Sequence, residues 1–181
     1  MRVITGKYRG RTLKSPKHGG VRPTADRVKE ALFNILGARI QGAAFLDLFA
    51  GTGSVAIEAI SRGAASAILV DHSYLSIKLI RQNIKILDSD EKVRILHLSY
   101  DRAIDLLAKE RIQFDLVFLD PPFEAGILTQ AAQRIIGGNL LKDDGIIIAE
   151  HPRKFYLNIP DLQGETRNYG DICLTFLAKR C

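Results

Sequence analysis

Two short stretches of this 181-residue chain combine acidic residues with proline or glycine in patterns suited to catalysis and ligand binding. The first is Asp120-Pro121-Pro122-Phe123, which directly follows the apolar run 114–119. An exocyclic amine on a purine is a poor nucleophile because its lone pair is delocalised into the ring. Two acceptors aimed at its N–H bonds localise that pair and favour attack on a methyl group. Asp120 supplies one acceptor. The Pro121 carbonyl supplies the other, held by two prolines that fix their own dihedrals and bring no competing N–H. Phe123 offers a face on which an extruded base can stack, a contact worth ~1–3 kcal/mol in general.

The second stretch is Asp47-Leu48-Phe49-Ala50-Gly51-Thr52-Gly53, with Asp71 following Gly51 by 20 residues. Gly51 and Gly53 permit a tight turn and close approach of backbone to a ligand. A carboxylate at Asp71 can accept both hydroxyl protons of an adenosine ribose. By spacing alone this also matches the fingerprint of dinucleotide enzymes. Asp47 separates the two readings. A dinucleotide places pyrophosphate at this turn, and an unpaired carboxylate repels it. S-adenosylmethionine has no phosphate, and Asp47 attracts its ammonium and sulfonium. The cofactor-binding residues expected here are Asp47, Phe49, Gly51, Gly53 and Asp71. His72 either lines the adenosine pocket or is an ordinary loop histidine. His18, His72, His97 and His151 lack metal-ligand spacing, so no metal site is expected.

The elements that position these residues follow from periodicity. Near-continuous apolar runs at 44–49, 67–71, 93–98, 114–119 and 145–149 read as strands covered on both faces. Between them, 54–62, 73–87, 102–109 and 125–136 read as helices, the second presenting Leu75, Leu79, Ile80 and Ile84 on one face. This alternation predicts a doubly wound parallel sheet, whose ligands bind at the carboxyl ends of the strands. Residues 163–168 and 172–178 flank Tyr169-Gly170-Asp171 and predict an antiparallel hairpin at the sheet edge. Residues 2–14 predict a short hairpin with its turn at Gly6 to Gly10, and 15–22 a loop. Thr24 is the expected N-cap of a helix whose stripe is Val28, Ala31, Leu32, Ile35 and Leu36, ended by Gly37 or Gly42.

Charge is unevenly placed. The chain carries a net +6, yet residues 1–29 hold nine basic side chains and one acidic one, while the other 152 hold 17 basic and 19 acidic. A near-neutral body with a basic N-terminal arm predicts a polyanionic partner, with Arg9, Arg11, Arg22 and Arg27 as nucleic-acid contacts. No apolar run is long enough for a membrane span and no secretory signal is visible. The only cysteines, Cys173 and Cys181, fit a reduced, cytoplasmic compartment.

The chain resembles the bacterial 16S ribosomal RNA guanine-N2 methyltransferases of the class I S-adenosylmethionine fold. The resemblance covers nearly the whole chain. It rests on Met1-Arg2-Val3-Ile4-Thr5-Gly6 with Arg9-Gly10-Arg11, and on Arg22-Pro23-Thr24 through Lys29-Glu30-Ala31-Leu32-Phe33-Asn34. Asp47 through Gly53 and Asp120-Pro121-Pro122-Phe123 complete it. The resemblance implies an α/β, Rossmann-like class I methyltransferase fold: a mostly parallel seven-stranded sheet, a C-terminal antiparallel hairpin, and a small N-terminal β-hairpin plus helix extension. Residues 1–40 are then a basic RNA-binding extension and 41–181 the methyltransferase domain. The implied target is one guanine, guanine 966, of 16S rRNA in the small ribosomal subunit or an assembly intermediate, and the implied state a monomer. Arg22 and Thr24 are placed near the cofactor or the RNA. A residue after the third strand contacts the adenine amino group in such enzymes; here the choice lies among Ser99, Tyr100 and Asp101.

Other protein classes share parts of this pattern. DNA adenine methyltransferases use related motifs but need a target-recognition region for which this chain has no insertion. Protein glutamine methyltransferases typically carry Asn where this chain has Asp120. A non-catalytic RNA-binding scaffold has no need of Asp47, Asp71 and Asp120 together, and a dinucleotide oxidoreductase is disfavoured by Asp47.

Overall fold

The computed structural model describes residues 1–16, 23–122, 126–155, 157, 159 and 162–180, without the side chains of 23–25. Its elements run α1 (Pro23–Leu36), β1 (Ala44–Asp47), α2 (Ser54–Ser61), β2 (Ser66–Asp71), α3 (Tyr74–Asn83), β3 (Val93–His97) and α4 (Tyr100–Lys109). They continue β4 (Phe114–Leu119), α5 (Ile127–Gly137), β5 (Leu141–Pro152), β6 (Leu162–Tyr169) and β7 (Ile172–Lys179). The seven strands form one sheet in the order β3-β2-β1-β4-β5-β7-β6. β1 to β5 pair in parallel, and β7 runs antiparallel between β5 and β6. The order reverses between β1 and β4, so the cleft opens at the carboxyl ends of those two strands.

Both faces of the sheet are covered, which is why its central strands are apolar throughout. Phe45, Leu69, Phe118 and Ile148 face a core closed by α1, α2 and α3. Leu46, Val70, Val117 and Ile147 face a second core closed by α4 and α5.

Several expectations shift. The N-terminal hairpin forms with a short ladder: Arg2 bridges Thr12, Val3 N–H donates to the Arg11 carbonyl and Leu13 N–H to the Met1 carbonyl, both at 3.0 Å, around a turn at Gly6 to Gly10. The hairpin is also docked. A Cβ at Gly6 would lie 1.8 Å from the Ser61 carbonyl oxygen, and Val3, Tyr8 and Leu13 enter the same core as α1. Below it lies Glu58, fully buried in α2. Its carboxylate accepts from the backbone N–H groups of Ile4 and Thr5 at 2.8 and 2.9 Å and pairs with Arg62 Nε at 2.8 Å and Lys29 Nζ at 3.6 Å. A buried charge is tolerable when every lone pair is met in this way.

α1 starts at Pro23, so Thr24 lies within its first turn rather than at the N-cap. Proline suits that first position because its missing N–H has no intrahelical partner anyway. Phe33 replaces Ile35 in the buried stripe, since Phe33 is 2% exposed and Ile35 40%. The helix stops at Gly37 (φ +50°), a 3-10 turn follows, and Gly42 (φ +71°) reverses the chain, so both stop signals are used. In α3 the buried apolar residues are Ile77 and Ile80, while Leu75 is 71% exposed. β5 extends from Leu141 to Pro152, well beyond 145–149, because its partner β7 pairs with it as far as Pro152. The edge hairpin stands as expected, turning at Gly170 (φ +64°). Ala125, expected to begin the fifth helix, lies outside the described residues. None of the described helices is long and apolar enough to cross a membrane.

Candidate active site

The turn between β1 and α2 is built by glycines with different tasks. Gly53 (φ +78°) is packed: a Cβ there would lie 2.9 Å from Leu69 Cδ2. Gly51 (φ +54°) would meet nothing within 4 Å, so it faces open space. The turn closes with Gly53 N–H donating to the Ala50 carbonyl at 2.7 Å and Ala50 N–H to the Val70 carbonyl at 2.8 Å. Asp71 holds it from the next strand. Its Oδ2 accepts from Gly51 N–H and its Oδ1 from Ser73 N–H, both at 2.8 Å. Each oxygen keeps a second lone pair for a ligand hydroxyl.

Asp47, at the end of β1, is 2% exposed. Its Oδ1 has no hydrogen-bond partner among the described residues. Burial first, then the charges of Asp120 and Asp71, push its carboxyl up to about 8. A buried, unsatisfied acceptor among like charges is costly by itself and fits a cationic ligand group.

Asp120 leaves the end of β4 half-buried, followed by buried Pro121 and exposed Pro122. Desolvation raises its carboxyl above the usual range. Phe123 lies outside the described residues. Beside Asp120, on the lengthened β5, stands Glu150, raised by burial and by the charge of Asp120. Sequence reasoning missed Glu150. Its one signal was its place at the end of an apolar run.

The other wall is aromatic. Phe49 and Tyr100 pack with ring centroids 5.5 Å apart, and Tyr100 Oη donates to Gln130 Oε1 at 3.2 Å. Ser99 sits extended before α4, and the carboxyl of Asp101, in the first turn of that helix, is lowered first by the neighbouring Ser99 hydroxyl. His72 is exposed, and its carbonyl bonds His97 Nε2 at 3.1 Å. A further unforeseen residue is Asn83, 2% exposed at the end of α3. It accepts from Lys14 N–H at 2.7 Å and donates to the Lys14 and Thr52 carbonyls at 3.0 and 2.9 Å, tying the N-terminal segment to the glycine turn.

Arg9, Arg11 and Arg27 are exposed. Two other members of the basic arm are not available to a partner in the same way. Lys29 is 4% exposed, beside Glu58. Lys7 pairs with Asp88 at 2.8 Å and Glu91 at 2.9 Å. Arg22 lies outside the described residues, as does the Thr24 side chain. Among the described residues no cluster of His, Cys, Asp or Glu could hold a metal ion.

This geometry can hold a cationic, ribose-bearing ligand across Asp47 and Asp71 and present it to acceptors at Asp120. The family model described as conserved hypothetical protein 95 matches residues 1–178. The ribosomal RNA small subunit methyltransferase D of Escherichia coli is 36% identical over 150 residues, covering 83% of this chain and 74% of the relative. A solved hypothetical protein from Thermus thermophilus superposes with a TM-score of 0.84 at 30% identity, covering 99% of each chain. An SAH-bound methyltransferase from Podospora anserina shares the fold, with a TM-score of 0.66 at 17% identity, covering 89% of this chain and 83% of its own. The fold is that of the class I methyltransferases.

Proposed function

The chain belongs to the conserved hypothetical protein 95 family, and on that premise we propose that it methylates the N2 amine of a guanine in 16S rRNA, using S-adenosylmethionine. The observation that carries this reading is the pairing of Asp47, whose buried Oδ1 lacks a partner among the described residues, with Asp120-Pro121 one strand away. When bound, S-adenosylmethionine supplies an electrophilic methyl on a sulfonium.

Asp47 binds the ammonium, and Asp71 the ribose hydroxyls while it holds the Gly51–Gly53 turn. Phe49 and Tyr100 wall the adenine, with His72 at its rim and Ser99 or its neighbours Tyr100 and Asp101 at its amino group. Asp120 and the Pro121 carbonyl accept the two N–H bonds of the target amine and direct its lone pair at the methyl carbon. The bound cofactor would supply the methyl and leave with the electron pair of its S–C bond, while these two acceptors hold the amine in line. Asp120 steadies the positive charge that develops on nitrogen and then takes its surplus proton. Pro122 keeps the turn rigid, and Phe123 stacks on the extruded base.

Residues 1–40 form the RNA-facing part, with Arg9, Arg11, Arg22 and Arg27 on phosphates and Thr24 at its border with the cofactor cleft. Residues 41–181 carry the transfer. The substrate is the small ribosomal subunit or an assembly intermediate, and the enzyme acts as a cytoplasmic monomer. Support comes from the relative's name, the exposed arginines and the fold. The test is transfer of a labelled methyl to ribosomal particles lacking the modification, followed by nucleoside analysis. N2-methylguanosine is the expected product, and label in adenosine or in protein would overturn the assignment.

A further inference from the structure

Glu150 has no role in the reaction as described so far. Its position is set by the β4–β5 pairing, in which Phe118 faces Ile148 and Leu119 faces Ala149. Asp120 therefore leaves β4 next to Glu150, about one strand spacing of ~4.8 Å away. Side chains alternate along strands. Phe118 and Ile148 belong to the core under α1 to α3, so Asp120 and Glu150 turn to that same side. Asp47 follows Phe45 on this side too, and Asp71 follows Leu69. Four adjacent strands thus each bring one carboxylate to the same rim of the cleft.

Asp71 is satisfied by two backbone N–H groups. Asp47 is deeply buried, with an unpartnered Oδ1. Glu150 meets only burial and the charge of Asp120; among the described residues nothing donates to it or offsets its charge. Two half-buried carboxylates side by side, with no cation offsetting them among the described residues, repel each other and add nothing to the stability of the fold. They are acceptors arranged for a ligand that brings several donors in a row.

A guanine edge is such a ligand. Its N2 carries two N–H bonds, and the neighbouring N1 carries one more. We propose that Glu150 is a specificity-determining residue that accepts the N1–H of the target guanine while Asp120 accepts from N2. The inference rests on the guanine reading above and deepens it. Adenine presents a lone pair at N1 and is repelled by an ionised Glu150. In the free protein the raised pair can retain a proton. That proton leaves to solvent when the guanine donors arrive, since hydrogen bonds to the ionised form favour it.

The test uses the full chain and small ribosomal subunits reconstituted with RNA. The acceptor position is first mapped in the wild-type reaction, then filled with guanine or with 2-aminopurine. 2-Aminopurine keeps the N2 amine but has a lone pair at N1. The wild type should prefer guanine by about 100-fold or more in kcat/KM, since a site built around an N–H rejects the analogue lacking it. Glu150→Gln should cut that ratio about tenfold or more, because its amide N–H can donate to N1 of 2-aminopurine. Glu150→Ala should also lower it, by slowing guanine transfer selectively. The missing O6 of 2-aminopurine affects all three proteins alike, so the change in ratio isolates N1. A structural role would slow both substrates equally and leave the ratio unchanged, which overturns the proposal. Unchanged cofactor affinity in both variants shows that they are folded. Absence of wild-type transfer to guanine would instead remove the underlying functional reading, and this inference with it.

Discussion

The proposed contact of Asp47 with the cofactor's ammonium would make cofactor binding a proton-linked event. The Asp47 carboxyl is buried, lacks a partner for Oδ1 among the described residues, and is pushed up to about 8. Below that value the free protein holds it protonated, and only the ionised form attracts an ammonium. The ligand's cation lowers the carboxyl again, so binding releases a proton. With a value near 8, the ionised fraction rises roughly 25-fold between pH 6 and 7.5. Affinity for S-adenosylmethionine should rise by the same factor, about 1.9 kcal/mol at ~1.36 kcal/mol per tenfold change. Calorimetry in two buffers of different ionisation enthalpy reads both quantities: affinity against pH, and close to one proton released per cofactor bound. Asp47→Asn should bind weakly with a nearly flat pH profile and no proton release. The same group sets a stability trend. A carboxyl raised in the folded state favours folding most at low pH, and that contribution is lost as pH rises from about 4 to about 8. Asp47→Asn should therefore melt higher than wild type at pH 8, with the gap closing toward pH 4. Flat wild-type affinity between pH 6 and 7.5, without proton release, would refute the assignment of Asp47 to the ammonium.

Asp120→Asn should keep cofactor affinity and lose ~10²–10³ in single-turnover rate, with Asp120→Ala worse; near-normal rates in both would leave Asp-Pro-Pro a structural turn. Asp71→Ala should weaken cofactor binding by ~1.5–3 kcal/mol, the scale of hydrogen bonds to a charged group. Because Asp71 also holds Gly51 N–H, affinity unchanged in a folded variant would contradict both of its tasks. Replacing Arg9 and Arg11 with Gln should weaken RNA binding and reduce its salt slope by roughly 1.5–2, leaving cofactor affinity alone; an unchanged slope would take the arm off the RNA. Lys29→Ala should cost ~3 kcal/mol in chemical denaturation, since Glu58 would stay buried with Arg62 as its remaining cation. A loss below about 0.5 kcal/mol, the scale of an ordinary surface change, would mean that Glu58 does not need Lys29.

What local chemistry encodes was legible without coordinates. Strands buried on both faces must be apolar throughout, so β1 to β4 announced themselves, and the edge hairpin did so through Tyr169-Gly170-Asp171. Gly51, Gly53 and Asp71 were readable because a tight turn and an acid one strand away lie within one βαβ unit. Asp120-Pro121-Pro122 was readable because prolines mark backbone that cannot join a ladder.

The third dimension decided what depends on distant neighbours. Ile35 and Leu75 fit a helical period but face solvent, because the faces of α1 and α3 that bury are chosen by what packs on them. Lys29 counted as part of a basic arm until Glu58, on another helix, claimed it. Glu150 lies 30 residues from Asp120 in the chain, and no local pattern links them. Only the parallel register of β4 and β5, fixed by core packing on both faces, sets the two carboxylates side by side, because a one-residue slip would turn Glu150 to the other face of the sheet.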